Sequence, residues 1–204
     1  MSQENDTARD IASLYDSIGG KFDILYREIP AQIASLDWLV SQLPRSGSSV
    51  LDIGCGTGCP VSLTLTISPS SHTVLGIDVS EGMLSVARST VTSPYATFRL
   101  FDCRTFEAHP ATYDAITSYF AMLLGFSQSQ IRGLVGKIYV WLKPGGLLVL
   151  GTSPANVEDF EQTWLGRKGL FSSLSKDQYV ALLGGLGFLI IEHRASDEVY
   201  TEGS

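Results

Sequence analysis

The sequence predicts an α/β domain, a doubly wound, mostly parallel sheet with helices packed on both faces. Three observations predict it. From Ser49 onward, short apolar runs alternate with stretches of helical periodicity, and such alternation builds parallel sheets covered on both sides. The run V-L-D-I-G-C-G-T-G, Val50 to Gly58, ends an apolar strand in a glycine-rich turn of the kind found at the ligand-binding edge of these sheets. The chain of 204 residues, 44% of them hydrophobic, is long enough for one well-packed domain and short for two. The expected organisation is a single domain over residues 1–204, with a helical cap at 1–45 and the core at 46–194.

The elements follow in order. Ile11, Leu14, Tyr15 and Ile18 mark an amphipathic helix that Gly19-Gly20 breaks. Pro30 opens a second helix, with Ile33, Leu36, Leu39, Val40 and Leu43 at three- and four-residue steps, and Pro44 stops it. Strands are expected at Val50–Ile53, Thr73–Asp78, Thr97–Asp102, Tyr113–Ser118, Leu147–Thr152 and Phe188–Glu192. Helices are expected at Gly58–Ile67, Ser80–Thr90, Ser127–Leu142 and Ser175–Leu186. Ser127 with Gln130, and Ser175 with Gln178, read as capping boxes. Ile131, Leu134, Val135, Ile138 and Leu142 give the third of these helices its apolar face.

Charge narrows the partners. A net charge of -7 with 14 Lys and Arg does not supply the positive surface that phosphate contacts need, so a nucleic-acid partner is not expected. The first ten residues are polar, without the basic start and apolar centre of a secretory signal. The longest apolar stretch, Val180 to Ile191, is interrupted by Gly184, Gly185 and Gly187 and is too short to span a bilayer. A cytoplasmic location is expected. Cys55, Cys59 and Cys103 form no C-x-x-C pair, and His72, His109 and His193 lie far apart, so reduced thiols and no metal site are expected.

Gly54, Gly56 and Gly58 alternate, which makes a platform that a ligand can approach closely, and the amides of the following helix point back at it and suit a carboxylate. The dinucleotide fingerprint G-x-G-x-x-G is not met, because its last glycine would fall at Cys59. T-V-L-G-I-D-V-S ends a second strand in Asp78, about twenty residues on, where a carboxylate can accept both hydroxyls of a ribose. Met83 could pack on a flat adenine or belong to the core. Asp102, in R-L-F-D-C-R, could accept an exocyclic adenine amine or simply be solvated.

Together these residues resemble the class I, Rossmann-like S-adenosylmethionine-dependent methyltransferases. The motifs are Val50–Gly58, Asp78, Asp102, the fourth-strand run Tyr113-Asp114-Ala115-Ile116-Thr117-Ser118 and the turn Leu142-Lys143-Pro144-Gly145-Gly146, and the likeness extends from about Ile11 to Ile191. Within that class the chain looks like the small methyltransferases of the ubiquinone and menaquinone biosynthetic type. The resemblance implies S-adenosyl-L-methionine as cofactor, S-adenosyl-L-homocysteine as product and a small-molecule acceptor. It implies cofactor contacts from Tyr15, Asp52, Gly54, Cys55, Gly56, Gly58, Asp78, Val79, Met83, Asp102, Cys103 and Ser118. Leu14-Tyr15-Asp16 matches the N-terminal helical lid of the group; Tyr15 is then a lid contact, or else a buried aromatic. Trp164-Leu165-Gly166 and Phe171-Ser172-Ser173-Leu174-Ser175 resemble an insert that shapes the acceptor pocket. The final antiparallel strand of the class has no counterpart, since no alternating apolar run follows Ile191, and an unpaired edge favours association, for instance as a homodimer.

Methyl transfer from a sulfonium needs alignment and exclusion of water more than a protein nucleophile. A general base is required only for an acceptor that keeps its proton, and Tyr119 and His109 are the candidates. Phe120, Met122, Leu123, Leu124, Phe126, Trp164 and Phe171 suggest a mostly apolar acceptor pocket. Two rival readings are a dinucleotide-dependent oxidoreductase and a protein that binds S-adenosylmethionine without transferring its methyl group.

Overall fold

The computed structural model describes residues 11–16, 29–67, 69, 71–164 and 167–191. Strands β1 (Ser49–Ile53), β2 (Thr73–Asp78), β3 (Ala96–Leu100), β4 (Tyr113–Tyr119) and β5 (Leu142–Gly151) form one sheet in the order β3-β2-β1-β4-β5. Every ladder in it is parallel. The chain passes outward from β1 to β3 and then returns to β4 on the other side of β1, so the order reverses between β1 and β4. That switch point is where such sheets leave a crevice beyond their carboxyl ends.

Alternation along β1 divides the core. Val50 joins Leu36, Leu39, Val61, Leu65, Val74, Ala115 and Val149 on the face covered by α1 (Pro30–Gln42) and α2 (Val61–Thr66). Leu51 and Ile53 join Ile77, Ile116, Ile131, Ile138 and Trp141 on the face covered by α4 (Gln128–Trp141). Burial on both faces explains why these strands read as nearly continuous apolar runs. α3 (Glu81–Thr90) packs along β2 and β3. Both capping boxes form, Ser127 with Gln130 at α4 and Ser175 with Gln178 at α5 (Lys176–Leu186), which ends at Gly187 with φ +104°. Pro30 opens α1 and residues 11–16 are helical; Ile18 and Gly19-Gly20 lie outside the described residues.

Several expected boundaries move. α2 is six residues long and begins at Val61, not Gly58, because the chain is still turning there: the Gly58 amide donates to the Cys55 carbonyl at 2.9 Å. β3 stops at Leu100 because Asp102 is drawn into a turn with Arg104. β5 begins at Leu142, taking the Lys143–Gly146 turn into a ladder whose register shifts between Tyr113 and Ala115. At this amino edge Lys143 donates to Asp114 at 2.8 Å, and the Asp114 carboxylate also accepts the Ser49 amide at 2.8 Å.

Two differences are larger. Phe188–Ile191 is not a strand, and Glu192 lies outside the described residues. Phe188 packs edge-on against Tyr139 at 5.2 Å, and Leu189 is left 84% exposed. Among the described residues no strand pairs with the outer side of β5. Conversely, residues read as an insert form an antiparallel hairpin, β6 (Ala155–Trp164) and β7 (Arg167–Ser175); Leu165 and Gly166 lie outside the described residues. The hairpin is tied to the chain after β4, where the Gly125 amide donates to Leu170 at 2.8 Å and the Ser172 amide to Leu123 at 3.0 Å. No helix among the described residues is long and apolar enough to cross a membrane.

Candidate functional site at the carboxyl edge of the sheet

The glycine turn leaves β1 at the switch point. Gly54, Gly56 and Gly58 all take positive φ, at +67°, +53° and +77°, but they face different surroundings. A Cβ on Gly54 would lie 2.4 Å from the Ala121 Cβ, and one on Gly58 would lie 2.9 Å from Val91 Cγ2. A Cβ on Gly56 would meet nothing within 4 Å. Two of the glycines therefore bring protein segments together, whereas Gly56 opens onto the crevice.

Asp52 lies beneath this turn, only 2% exposed, accepting hydrogen bonds from Ser62 Oγ and Thr117 Oγ1, each at 2.8 Å. Burial lifts its carboxyl to about 6, against the pull of the two hydroxyls and with a further push from Asp78. Its oxygens are spent inside the protein, so Asp52 braces the turn rather than reaching into the crevice. The Cys55 thiol is buried too, and burial raises it well above its ordinary range, as it raises Cys103 to about 12.

On the ribose side, Asp78 ends β2. It accepts the Gly56 amide at 2.9 Å on Oδ2 and the Ser80 amide at 3.0 Å on Oδ1. Burial raises its carboxyl, while these amides and that of Val79 oppose the rise. A carboxylate that holds these amides still keeps lone-pair capacity for a further donor. Ser80 caps α3 by accepting the Met83 amide, which turns the Met83 side chain inward with Leu84 and Ala87. At 1% exposure Met83 lies in the core, one of the two places its sequence position left open.

Residue 16 is a contributor that sequence reasoning passed over. The Asp16 carboxylate accepts the Ser80 hydroxyl at 2.6 Å and the Gly82 amide at 2.9 Å, which fastens residues 11–16 to the start of α3 beside Asp78. Tyr15, partly buried next to it, is carried to this edge. From the other side Arg167 reaches Ser13 at 3.5 Å. The motif Leu14-Tyr15-Asp16 held the signal, but nothing local shows which acid will meet which helix.

On the base side, Asp102 is already engaged. Arg104 Nε lies 3.0 Å from both of its oxygens, Nη2 donates to Oδ2 at 2.7 Å, and the Arg104 amide donates to Oδ1 at 2.9 Å. A free acceptor for an adenine amine is therefore not what the structure shows; any such donor has to share Asp102 with a guanidinium.

Beyond β4, Ser118 pairs in register with Ile53, one residue before Gly54. Its hydroxyl is fully buried and has no hydrogen-bond partner among the described residues. Tyr119 turns to the α1 face, with its hydroxyl 2.8 Å from Ser35 Oγ. Burial raises its phenol to about 12, against the pull of the Ser35 hydrogen bond that engages it on this face. Phe120 holds φ +58° and is 40% exposed, an uncommon conformation for a bulky residue and one that concentrates at functional edges. His109 is placed at the opposite end of β4. Its carbonyl accepts Thr112 Oγ1 at 2.7 Å, and the neighbouring Ala111 amide bonds to Val140 at 3.0 Å. The loop returns to the amino edge, so His109 is not brought to the crevice.

The residues present fit S-adenosylmethionine on two observations: the open side of Gly56 beside the Asp78 carboxylate, and the unpartnered Ser118 hydroxyl at the turn. Comparison with known proteins agrees. A model described as "Methyltransferase domain" matches residues 50–146. The chain is 32% identical over 148 residues to a demethylmenaquinone methyltransferase of Symbiobacterium thermophilum, an alignment covering 68% of this chain and 54% of that protein. It is 34% identical over 146 residues to a carboxy-S-adenosyl-L-methionine synthase of Wolinella succinogenes, covering 66% and 58%. The chain thus spans about half the length of these curated relatives. Among solved structures, the [4+2]-cyclase SpnF superposes with a TM-score of 0.68 at 22% identity, covering 91% of this chain and 75% of that one. With its glycine turn at the switch point of a parallel sheet, the chain carries a methyltransferase domain over residues 50–146, in the fold of the class I S-adenosylmethionine-dependent methyltransferases.

Proposed function

We propose that this chain transfers a methyl group from S-adenosylmethionine to a small, mostly apolar molecule. The observation that carries the proposal is the Gly56–Asp78 pair, an open glycine whose amide holds a carboxylate at the crevice mouth. Asp78 would take the ribose hydroxyls, and Gly54 to Gly58 would lie against the amino-acid end of the cofactor, with the Ser118 hydroxyl close by. When bound, S-adenosylmethionine supplies a methyl group on a positive sulfur that departs as a neutral thioether.

What the protein itself contributes is placement and dryness. Phe120 at the end of β4 and the apolar residues Leu124 and Phe126 would wall the acceptor side, covered by the β6–β7 hairpin through the Leu124–Phe171 bridge. Holding the reactants in line there can account for several powers of ten in rate. The Tyr119 hydroxyl is engaged by Ser35 on the α1 face and would supply no base to the acceptor, so the reading favours an acceptor that is already nucleophilic. The acid-rich turn, Asp52 and Asp78, favours a cationic ligand over a neutral one.

The test pairs calorimetry with methyl tracking. Asp78→Ala is expected to lose at least about tenfold in affinity for S-adenosylhomocysteine, since two hydrogen bonds to a charged group go, while still unfolding cooperatively at a lower midpoint because the Gly56 and Ser80 amides lose their acceptor. Equal affinity in parent and variant would overturn the ribose assignment. Labelled methyl from S-adenosylmethionine, followed across a panel of quinols and other small apolar metabolites, then tests transfer. A second reading, in which the cofactor is bound but its methyl is not passed on, is supported by the likeness to the carboxy-S-adenosyl-L-methionine synthase and to the [4+2]-cyclase. It predicts tight retention of cofactor with no labelled product from any acceptor.

A further inference from the structure

Arg104 spends one guanidinium on two parts of the molecule. Its side chain, 12% exposed, closes a fork on Asp102 through Nε and Nη2, at 3.0 and 2.7 Å to Oδ2, while Nη1 donates to the Gly125 carbonyl at 3.0 Å. The Gly125 amide then donates to Leu170, and the Ser172 amide to Leu123, so the segment that Arg104 holds is the one on which the β6–β7 hairpin is seated. The guanidinium lies 5.4 Å from the centre of the Phe126 ring, and the Arg104 carbonyl is itself held by Lys137 Nζ at 3.1 Å.

We propose that Arg104 is a positioning residue that ties the base end of the cofactor site to the hairpin, so that an adenosine-containing ligand in that site tightens the hairpin's seat. The proposal rests on the cofactor reading above. Both Asp102 oxygens accept from Arg104, so a base amine arriving there shares the carboxylate and the guanidinium adjusts. The contact that registers the adjustment is the Gly125 carbonyl, one peptide from the amide that carries Leu170. A planar fork can serve both sides at once; a lysine, with a single compact charge, cannot.

Amide-resolved hydrogen exchange on the full chain tests this, with S-adenosylhomocysteine as the probe and Arg104→Gln and Arg104→Lys as variants. Without ligand, the Gly125 and Ser172 amides are expected to exchange about tenfold faster or more in both variants, while the β1–β4 ladder keeps its protection. In the parent, saturating S-adenosylhomocysteine should slow these two amides severalfold further; in the variants it should still bind yet leave them unchanged. Looser packing without any link would speed exchange in free and bound protein alike and preserve the ligand-induced ratio, and that result overturns the proposal. So does a parent whose hairpin ignores the ligand, or full restoration by Arg104→Lys, which would reduce the role to charge alone. Should Arg104→Gln not fold, Arg104→Lys decides the matter by itself. A parent that fails to retain S-adenosylhomocysteine at all overturns the cofactor reading, a distinct result from retention without a hairpin response.

Discussion

Gly54, Gly56 and Gly58 share a positive φ, yet substitutions at them should fail in different ways. Any side chain at such a φ costs roughly 1–2 kcal/mol. Gly54→Ala adds an overlap at 2.4 Å with the Ala121 Cβ, so its loss of stability should exceed that baseline by roughly 1–3 kcal/mol. At Gly56 an added Cβ meets nothing within 4 Å, so Gly56→Val should bear mainly the backbone cost and stay folded while losing S-adenosylhomocysteine binding. Urea denaturation beside calorimetry separates the two outcomes, and a Gly56→Val protein that binds like the parent would remove the crevice from consideration. The spacing of these glycines was legible in the sequence, but their division of labour was not, because Ala121 and Val91 reach the turn from other elements. The same holds for Met83, whose inward direction follows from the Ser80 cap, and for Asp102, whose partner stands only two residues away but could have pointed elsewhere.

Elements defined by local signals came out near their expected positions. β2 has the bounds its apolar run implies, and both capping boxes close as Ser127–Gln130 and Ser175–Gln178. At α4, Ser127→Ala removes the acceptor for the Gln130 amide and should cost about 1 kcal/mol in equilibrium unfolding. A cost near zero would show that Gln128 and Glu158, which meet at the same helix end, suffice for it. The hairpin was illegible for the opposite reason. Its register shifts between Val157 and Phe160, with Asn156 and Asp159 at positive φ, so no clean two-residue alternation survives in the sequence. It is held by Leu123, Gly125 and Gln128, tens of residues upstream. At Phe188–Ile191 the reverse occurred: an apolar run had the composition of a strand without a ladder partner among the described residues, and composition alone does not make a strand.

Across the whole molecule, buried titratable groups give stability opposing dependences on pH. His72 is buried and accepts the Ser48 amide on Nδ1, and burial holds it below its ordinary value. Its contribution is present above about pH 6.5 and is lost as pH falls through the folded value, because the unfolded chain takes up the proton first. Asp52, raised to about 6, acts with the other sign: its contribution is complete below about pH 4 and is lost as pH rises through 6. Asp52→Asn removes that term. The stability of the variant relative to the parent should therefore improve by on the order of 2 to 3 kcal/mol between pH 4 and pH 8, measured by urea unfolding at both ends. A constant difference would show that Asp52 titrates normally and that the turn is wetter than its burial implies.

What the sequence determined by itself was whatever depends on neighbours along the chain: strand and helix periodicity, the caps, the spacing of the glycine turn and the acid that ends β2. These rest on backbone geometry and side-chain periodicity within a dozen residues. Tertiary structure alone decided which groups share a carboxylate, which glycine faces open space, and which end of the sheet a loop returns to. Asp16 on Ser80, Arg104 between Asp102 and Gly125, and His109 at the far edge all depend on where separate elements come to rest, a consequence of packing the two apolar faces of one sheet.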